Sequence, residues 1–455
     1  MSNCTPGKMR SMRNDRRAIV WTCLAIWLFA VGYAVITPPF QVPDEVAHYW
    51  HAVSLAHGNV FHVMQNDRMG TFVPKSARDF VYLTWVETAG KPENKIGMAR
   101  LRAANELPYQ PEPVFRSFPA LYTPVPYIPG TLASAVADVL HVRPLIAFYA
   151  GRIATATACV VLIAAAMLEC GELAAIIAAI ASLPMTLYMF GSFSADAVTI
   201  SLAIYTTAVA WRVRSDETMN TRRWVRLCLA AAALALCKML YAPLALLALA
   251  PRARGHGGSP NRLPQVISLF VSLALGLAFS AAMVSRQYHP LRPEANPKAQ
   301  VQTIAAHPIH VASVVAKDFV AQFVGYRDQF VGRLGWVDVP LSGFLTAAAF
   351  YLLFAVAVTR DVAITPAARL FALLLAIALP FAVSLSQYVA WTPPGVEYVD
   401  GIQGRYFLPL AVVFLLPVVS IARNKRVGFA ALAVYALTAV AINIDALLIL
   451  VQRYY

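Results

Sequence analysis

RRAIVWTCLAIWLFAVGYAVITPPFQVPDEVAHYWHA, Arg16 to Ala52, decides how the rest of the chain is read. Basic residues (Lys8, Arg10, Arg13, Arg16, Arg17) precede an unbroken apolar run from Ala18 to Thr37. At about 1.5 Å per helical residue that run crosses a hydrocarbon core of roughly 30 Å. The positive flank holds the N-terminus in the cytoplasm. The run is longer than the apolar core of a signal peptide and no small-x-small cleavage site follows it, so it reads as an uncleaved anchor. What leaves the membrane at Pro38 is a polar, acidic string with two histidines.

The rest of the chain agrees with this start. Of its 455 residues 59% are hydrophobic and 13% charged, and its mean hydropathy is +0.60, which excludes an ordinary soluble enzyme, a disordered chain and a coiled coil. The six cysteines (Cys4, Cys23, Cys159, Cys170, Cys228, Cys237) lie in the N-terminal tail or in or beside apolar runs, so they form neither a disulfide framework nor a CxxC metal pair. The net charge of +14 sits in short basic segments between apolar runs, the pattern of cytoplasmic loops rather than of nucleic-acid binding.

Further spans are expected at about 145–168, 173–191, 194–212, 265–285, 341–358, 369–388, 405–422 and 428–451. The run 226–250 needs a different reading. Arg212, Arg214, Arg222, Arg223 and Arg226 lie before it and Arg252, Arg254 and Arg262 after it, and both groups belong inside. Two short helices, 226–237 and 240–250, meeting at Lys238 near the outer face satisfy both groups and keep the lysine from mid-bilayer. The expectation is an all-α polytopic membrane protein: a basic tail 1–17, a first span 18–37, an exofacial loop 38–144, spans within 145–285, a second exofacial loop 286–340 and spans within 341–455. That makes about eleven transmembrane helices with the C-terminus outside. Within the first loop, 131–141 reads as a helix lying on the membrane surface after the proline-rich stretch SFPALYTPVPYIPG (Ser117 to Gly130), with a further span as the alternative.

Chemistry gathers at the outer ends of these spans. In PPFQVPDEVAHYWHA (Pro38 to Ala52), Pro43 suits a helix start, Asp44 and Glu45 fall in its first turn, and Gly58 can end it. Asp44, His48 and His51 then share one face. Two carboxylates beside an imidazole can supply a general base, can complement a helix dipole, or can hold a divalent cation. Arg152, Lys238 and Arg405, cations in or beside apolar helices, are candidate phosphate ligands, with snorkelling to the interface as the alternative for the first two. Asp196, in GSFSADA (Gly191 to Ala197), is a second acid or a helix-start residue. Arg333 and Asp338 are expected to pair, and Tyr122, Tyr127, Trp336 and Trp391 either stack on sugar or belong to the interfacial belt.

The PPxxxPDExxHxxxA string, FVGRLGWVDVPL (Phe330 to Leu341) and VDGIQGRYFLPL (Val399 to Leu410) together resemble the bacterial membrane proteins grouped as domain of unknown function 2142. That family is in turn similar to the C-type (GT-C) glycosyltransferases, which use polyprenyl-phosphate-linked sugars at the outer face and carry acids in the first exofacial loop. The resemblance implies a GT-C-like fold in the inner membrane. It also implies Asp44 and Glu45 as catalytic acids, and a donor site drawing on His48, Arg152, Asp196, Lys238, Arg405 and Tyr406. The partners it implies are a polyprenyl-phosphate-linked sugar, a glycan or lipid acceptor, and the bilayer. A transporter or flippase of lipid-linked glycans is the rival reading.

Overall fold

The computed structural model describes residues 6–88, 90–118, 122–216, 220–252, 263–287, 292 and 294–455, with side chains from Arg16 onward except those of Val284, Arg286 and Gln287; Lys8, Arg10, Arg13, Arg254 and Arg262 therefore lie outside the described side chains. Helices carry the chain. In order they are α1 (Pro6–Ile36), α2 (Glu45–Ala56), α3 (Lys75–Trp85), α4 (Gly97–Glu106), α5 (Ile128–Val139), α6 (Pro144–Glu169), α7 (Ala174–Ala181), α8 (Pro184–Phe190), α9 (Ala195–Ser215) and α10 (Thr221–Cys237). After a 3₁₀ segment (Met239–Leu249) come α11 (Leu263–Gln287), α12 (Pro297–Ala306), α13 (Pro308–Ala321), α14 (Phe323–Gly332), α15 (Gly343–Thr359) and α16 (Pro366–Ala390). A second 3₁₀ segment (Gly404–Leu410) leads into α17 (Ala411–Leu415) and α18 (Lys425–Tyr454).

Among the described residues five helices are long and apolar enough to cross a bilayer: α1 from Arg16, α6, α11 to Met283, α16 and α18. Their outward faces stay apolar, as Trp21, Leu28, Leu275, Ile377, Phe429 and Leu437 illustrate, which suits a lipid environment and no aqueous one. A sixth span, expected over 173–191, is broken: α7 and α8 meet at 83°. Pro184 causes the break, because it forces Leu183 into an extended conformation (ψ 138) and cannot continue the preceding ladder. The stretch expected over 405–422 is likewise divided into short 3₁₀ and α pieces around Pro409 and Pro417. The remaining expected spans fall on α9, α15 and the pair α10 and Met239–Leu249, none of which is among the five helices long and apolar enough to cross by themselves; α15 and Met239–Leu249 are shorter apolar helices.

α9 is the axis of the core. Nearly every side chain from Ala195 to Trp211 is buried, against α6, α10 and the segment Met239–Leu249. α10 and that segment meet at Lys238; the 3₁₀ form rises about 2 Å per residue, so its eleven residues return over nearly the same depth as the seventeen of α10. At one end of this core the basic segments converge. Arg223 bonds Glu169 (2.7 Å) and Asp216 (2.7 and 2.9 Å), Arg252 donates to the Asp216 carbonyl (2.8 Å), and Arg423 pairs with Asp361 (3.0 Å). Asp196 and Arg214, on the same helix, stand about 27 Å apart along its axis, close to the thickness of a bilayer core.

The segment 38–144 lies at the Asp196 end and contains a feature the sequence reading lacked, a three-stranded antiparallel sheet of β1 (Val63–Gln65), β2 (Arg68–Pro74) and β3 (Pro113–Ser117). Asn66 and Asp67 both take positive φ (50° and 56°), the turn that matches strand twist, and make β1–β2 a tight hairpin. α5 is twelve residues long, about 18 Å, too short to cross; it packs on α6 and α2 and exposes Leu132, Val136, Val139 and Leu140. A second hairpin, β4 (Arg333–Leu334) with β5 (Val339–Pro340), precedes α15.

Candidate active site

α2 begins at Glu45, with Asp44 as the residue capping it. Asp44 sits in the left-handed region (φ 63°), and its side chain makes no capping bond, so the carboxylate is turned away from the helix and 58% exposed. Asp and Asn are the non-glycine residues that tolerate this conformation best. Phe40 takes a similar conformation (φ 64°) four residues earlier. The acidic string is therefore held in a defined bend, anchored by an aromatic cluster in which Phe40 packs on Phe148 (4.8 Å between ring centres) and Phe148 stacks on Phe193 (5.3 Å).

Asp44 opens a chain of charges. Arg405, 4% exposed, donates from Nη2 to Asp44 Oδ2 at 3.1 Å and brings Nε to 3.4 Å from Asp196 Oδ2. Asp196 Oδ1 accepts from Lys238 Nζ, and the ammonium lies 4.9 Å from the Tyr122 ring centre and 5.4 Å from that of Tyr406. Asp196 does not cap α9; Ser194 Oγ does, accepting the Asp196 amide at 3.1 Å, which leaves the carboxylate for the cations. His48 joins the group with Nδ1 2.8 Å from the Tyr127 hydroxyl, and burial pulls its imidazole down to about 4, so it stays neutral at ordinary pH. Six of the expected residues (Asp44, His48, Asp196, Lys238, Arg405 and Tyr406) thus come together from four separate parts of the chain.

Glu45 and Arg152 do not join them, and here the expected catalytic and phosphate-binding roles need correction. Both side chains are 0% exposed. Arg152 spends all five N–H groups within the protein. It grips Glu45 with two parallel bonds (Nε to Oε1 2.9 Å, Nη2 to Oε2 2.6 Å) and donates to the carbonyls of Ala34, Thr37 and Pro38 (2.8, 2.5 and 3.1 Å). Glu45 also accepts the amides of Phe40 and Phe193, each at 3.1 Å. Neither residue has a donor or acceptor left for a ligand. Together they lock the end of α1, the acidic string and the start of α9 to α6.

Other expectations resolve in detail. Asp338 pairs with Arg453 (3.1 and 3.0 Å), not with Arg333, because Arg333 turns back to the Val337 carbonyl at 2.9 Å. Asp400 pairs with Arg292 and Glu397 with His310 (3.7 Å), so neither holds Arg405. Trp336 donates to the Phe40 carbonyl at 3.2 Å and thereby ties the second hairpin to the acidic string, while Trp391 faces Arg292. His51 turns into the protein, its ring 4.7 Å from Tyr127 and 5.5 Å from His62. Among the described residues no three His, Cys, Asp or Glu side chains converge as metal ligands, so Asp44, His48 and His51 form no cation cage.

Gly404 fixes where Arg405 stands. Its amide donates to Gln329 Oε1 at 2.8 Å, and a Cβ there would fall 2.1 Å from the Tyr326 carbonyl oxygen, so only glycine lets this backbone lie against α14. Beyond α14, a cleft of about 560 Å³ opens between α13, α14, α15, α16 and α17. Phe319, Phe323, Phe350, Phe381, Phe407 and Phe414 line it, with Pro380, a proline inside α16, beside them. The sequence held no signal for this cleft, since its walls come from six elements, the five helices and the Gly404–Leu410 segment that carries Phe407.

The family model described as predicted membrane protein (DUF2142) matches residues 27–415, a span that contains all three quoted motifs. No curated protein and no solved structure matches the chain.

Proposed function

We propose, for a chain that belongs to the membrane-protein family called domain of unknown function 2142, that it is a glycosyltransferase taking sugar from a polyprenyl-phosphate donor. On this reading it has about eleven spans in a GT-C-like arrangement in the bacterial inner membrane. Its N-terminus is cytoplasmic, the Asp44 end faces outward, and the acceptor is a glycan or lipid. The observation that carries the reading is the exposed Asp44 carboxylate at the head of a buried Arg405–Asp196–Lys238 chain, at the end of the core away from the basic segments.

Asp44 accepts the proton of an acceptor hydroxyl as that oxygen bonds the anomeric carbon. The bond from that carbon to the phosphate oxygen breaks, and the phosphate leaves with the electron pair, its growing charge met by Arg405 and Lys238. One displacement inverts the anomeric centre. Tyr122 and Tyr406, beside Lys238, offer faces for the sugar. The aromatic cleft next to Phe407 has the size and apolarity for several isoprene units.

The rival, a flippase, needs charge along a path through mid-membrane, whereas the charges of α9 lie at its two ends. Purified protein supplied with a polyprenyl-phosphate sugar and candidate acceptors tests the proposal. Transfer that disappears in Asp44→Asn supports it; movement of the lipid between leaflets without any product supports the rival.

A further inference from the structure

We propose that Arg333, in the hairpin of β4 and β5, is a second guanidinium for the phosphate beside Arg405; this rests on reading the Asp44 site as one for a phosphate-linked donor. Arg333 is half-buried and lines a narrow crevice of about 10 Å³, room for one water, with Arg405, Gln329, Gln403 and Pro43, so a phosphate would meet it at the crevice mouth and not inside. Its Nε is spent on the Val337 carbonyl at 2.9 Å. Among the described residues its two Nη nitrogens have no carboxylate partner, and both acids nearest in sequence are engaged, Asp328 by Arg327 (2.7 Å) and Asp338 by Arg453 and by the Trp336 amide (2.7 Å). Two N–H edges of a planar fork therefore remain for an anion, the geometry that suits two phosphate oxygens.

The charge balance points the same way. Around the crevice and the adjoining chain stand three cations, Arg333, Arg405 and Lys238, against two carboxylates, Asp44 and Asp196, while His48 is neutral. One positive charge is left without a partner in a partly dry site, where an uncompensated charge is costly. A sugar–phosphate–lipid diester carries one negative charge and would close that balance.

The test uses the full-length protein in detergent with polyprenyl phosphate, the unphosphorylated polyprenol and inorganic phosphate as probes. Arg333→Gln should weaken polyprenyl-phosphate binding about 10- to 100-fold and leave polyprenol binding unchanged, with Arg333→Lys between them. The other role open to Arg333 is to pin Val337, which sits at φ 68°, a conformation glycine adopts without strain. Adding Val337→Gly to Arg333→Gln separates the two roles and guards against a folding defect. Affinity that stays low in the double variant, at an unchanged melting temperature, supports phosphate binding; affinity restored by the glycine overturns it. Wild-type binding that Arg333→Gln leaves intact overturns the Arg333 assignment alone, whereas wild-type protein that binds no phosphate overturns the donor reading with it. Inorganic phosphate bound as tightly, and with the same dependence on Arg333, supports the residue's role and makes free phosphate the source.

Discussion

Asp44 and Glu45 are consecutive carboxylates, one exposed and facing a single guanidinium nitrogen, the other sealed among four donors. Their substitutions should separate accordingly. Asp44→Asn keeps the left-handed bend and removes the proton acceptor, so sugar transfer should fall about 10²- to 10⁴-fold with the melting temperature little changed. Glu45→Gln leaves Arg152 as a buried cation without its counter-charge, which costs about 3–5 kcal/mol, so folded protein in detergent should be lost instead. Normal melting with lost turnover in Glu45→Gln would return that residue to the chemistry. The sequence showed the pair but not the division of labour, because side-chain direction depends on a single positive φ. The histidines add a pH dependence. Burial holds His48, His51 and His62 down at about 4, 3 and 4, against about 6.5 in an unfolded chain. Between those values the unfolded state binds more protons, so stability is lost as pH falls from about 6.5 toward 4. Melting measured from pH 7.5 to 5 should decline, and a His51→Gln/His62→Gln variant should show a shallower decline.

At the level of elements, the close approach of Gly404 to α14 makes the strongest demand. Two backbone atoms crowd the missing Cβ, the Tyr326 carbonyl oxygen at 2.1 Å and the Phe330 nitrogen at 2.7 Å, and neither can swing away as a side chain would. Gly404→Ala should therefore shift the Gly404–Leu410 segment, destabilise the protein by about 1–3 kcal/mol and weaken transfer through Arg405. Gly343→Ala, with open space at its Cβ, serves as the control, and equal melting temperatures for the two would contradict this packing. Long apolar helices such as α6, α16 and α18 were legible because length and hydropathy alone define them. The turn at Lys238 was legible from arginines on both sides of one apolar run. Less visible were the break before Pro184 and the hairpin at Asn66–Asp67, where one proline or two polar residues outweigh their neighbours. The partners of Arg333, Arg405 and Arg453 were not legible at all, since each is chosen by contacts between distant segments.

Across the whole molecule, charge is divided between two ends of one apolar core: arginine-rich segments around Glu169 and Asp216, and the Asp44 cluster with the hairpins above it. The orientation proposed for this division has a direct check. With the six native cysteines replaced, Lys91→Cys should react with an impermeant thiol reagent added outside the cell and Ser215→Cys should not; the opposite pattern would turn the protein over in the membrane. The contact between Asp44 and Arg405 joins positions 361 residues apart, while Asp196 and Lys238 are separated by 42. During synthesis the nascent chain therefore acquires its carboxylates early, gains Lys238 soon after, and waits for Arg405 until most of the helices have already left the ribosome. Until then Asp44 lacks the guanidinium that holds it, and a chain that ends before residue 405 would have its long helices but not this contact.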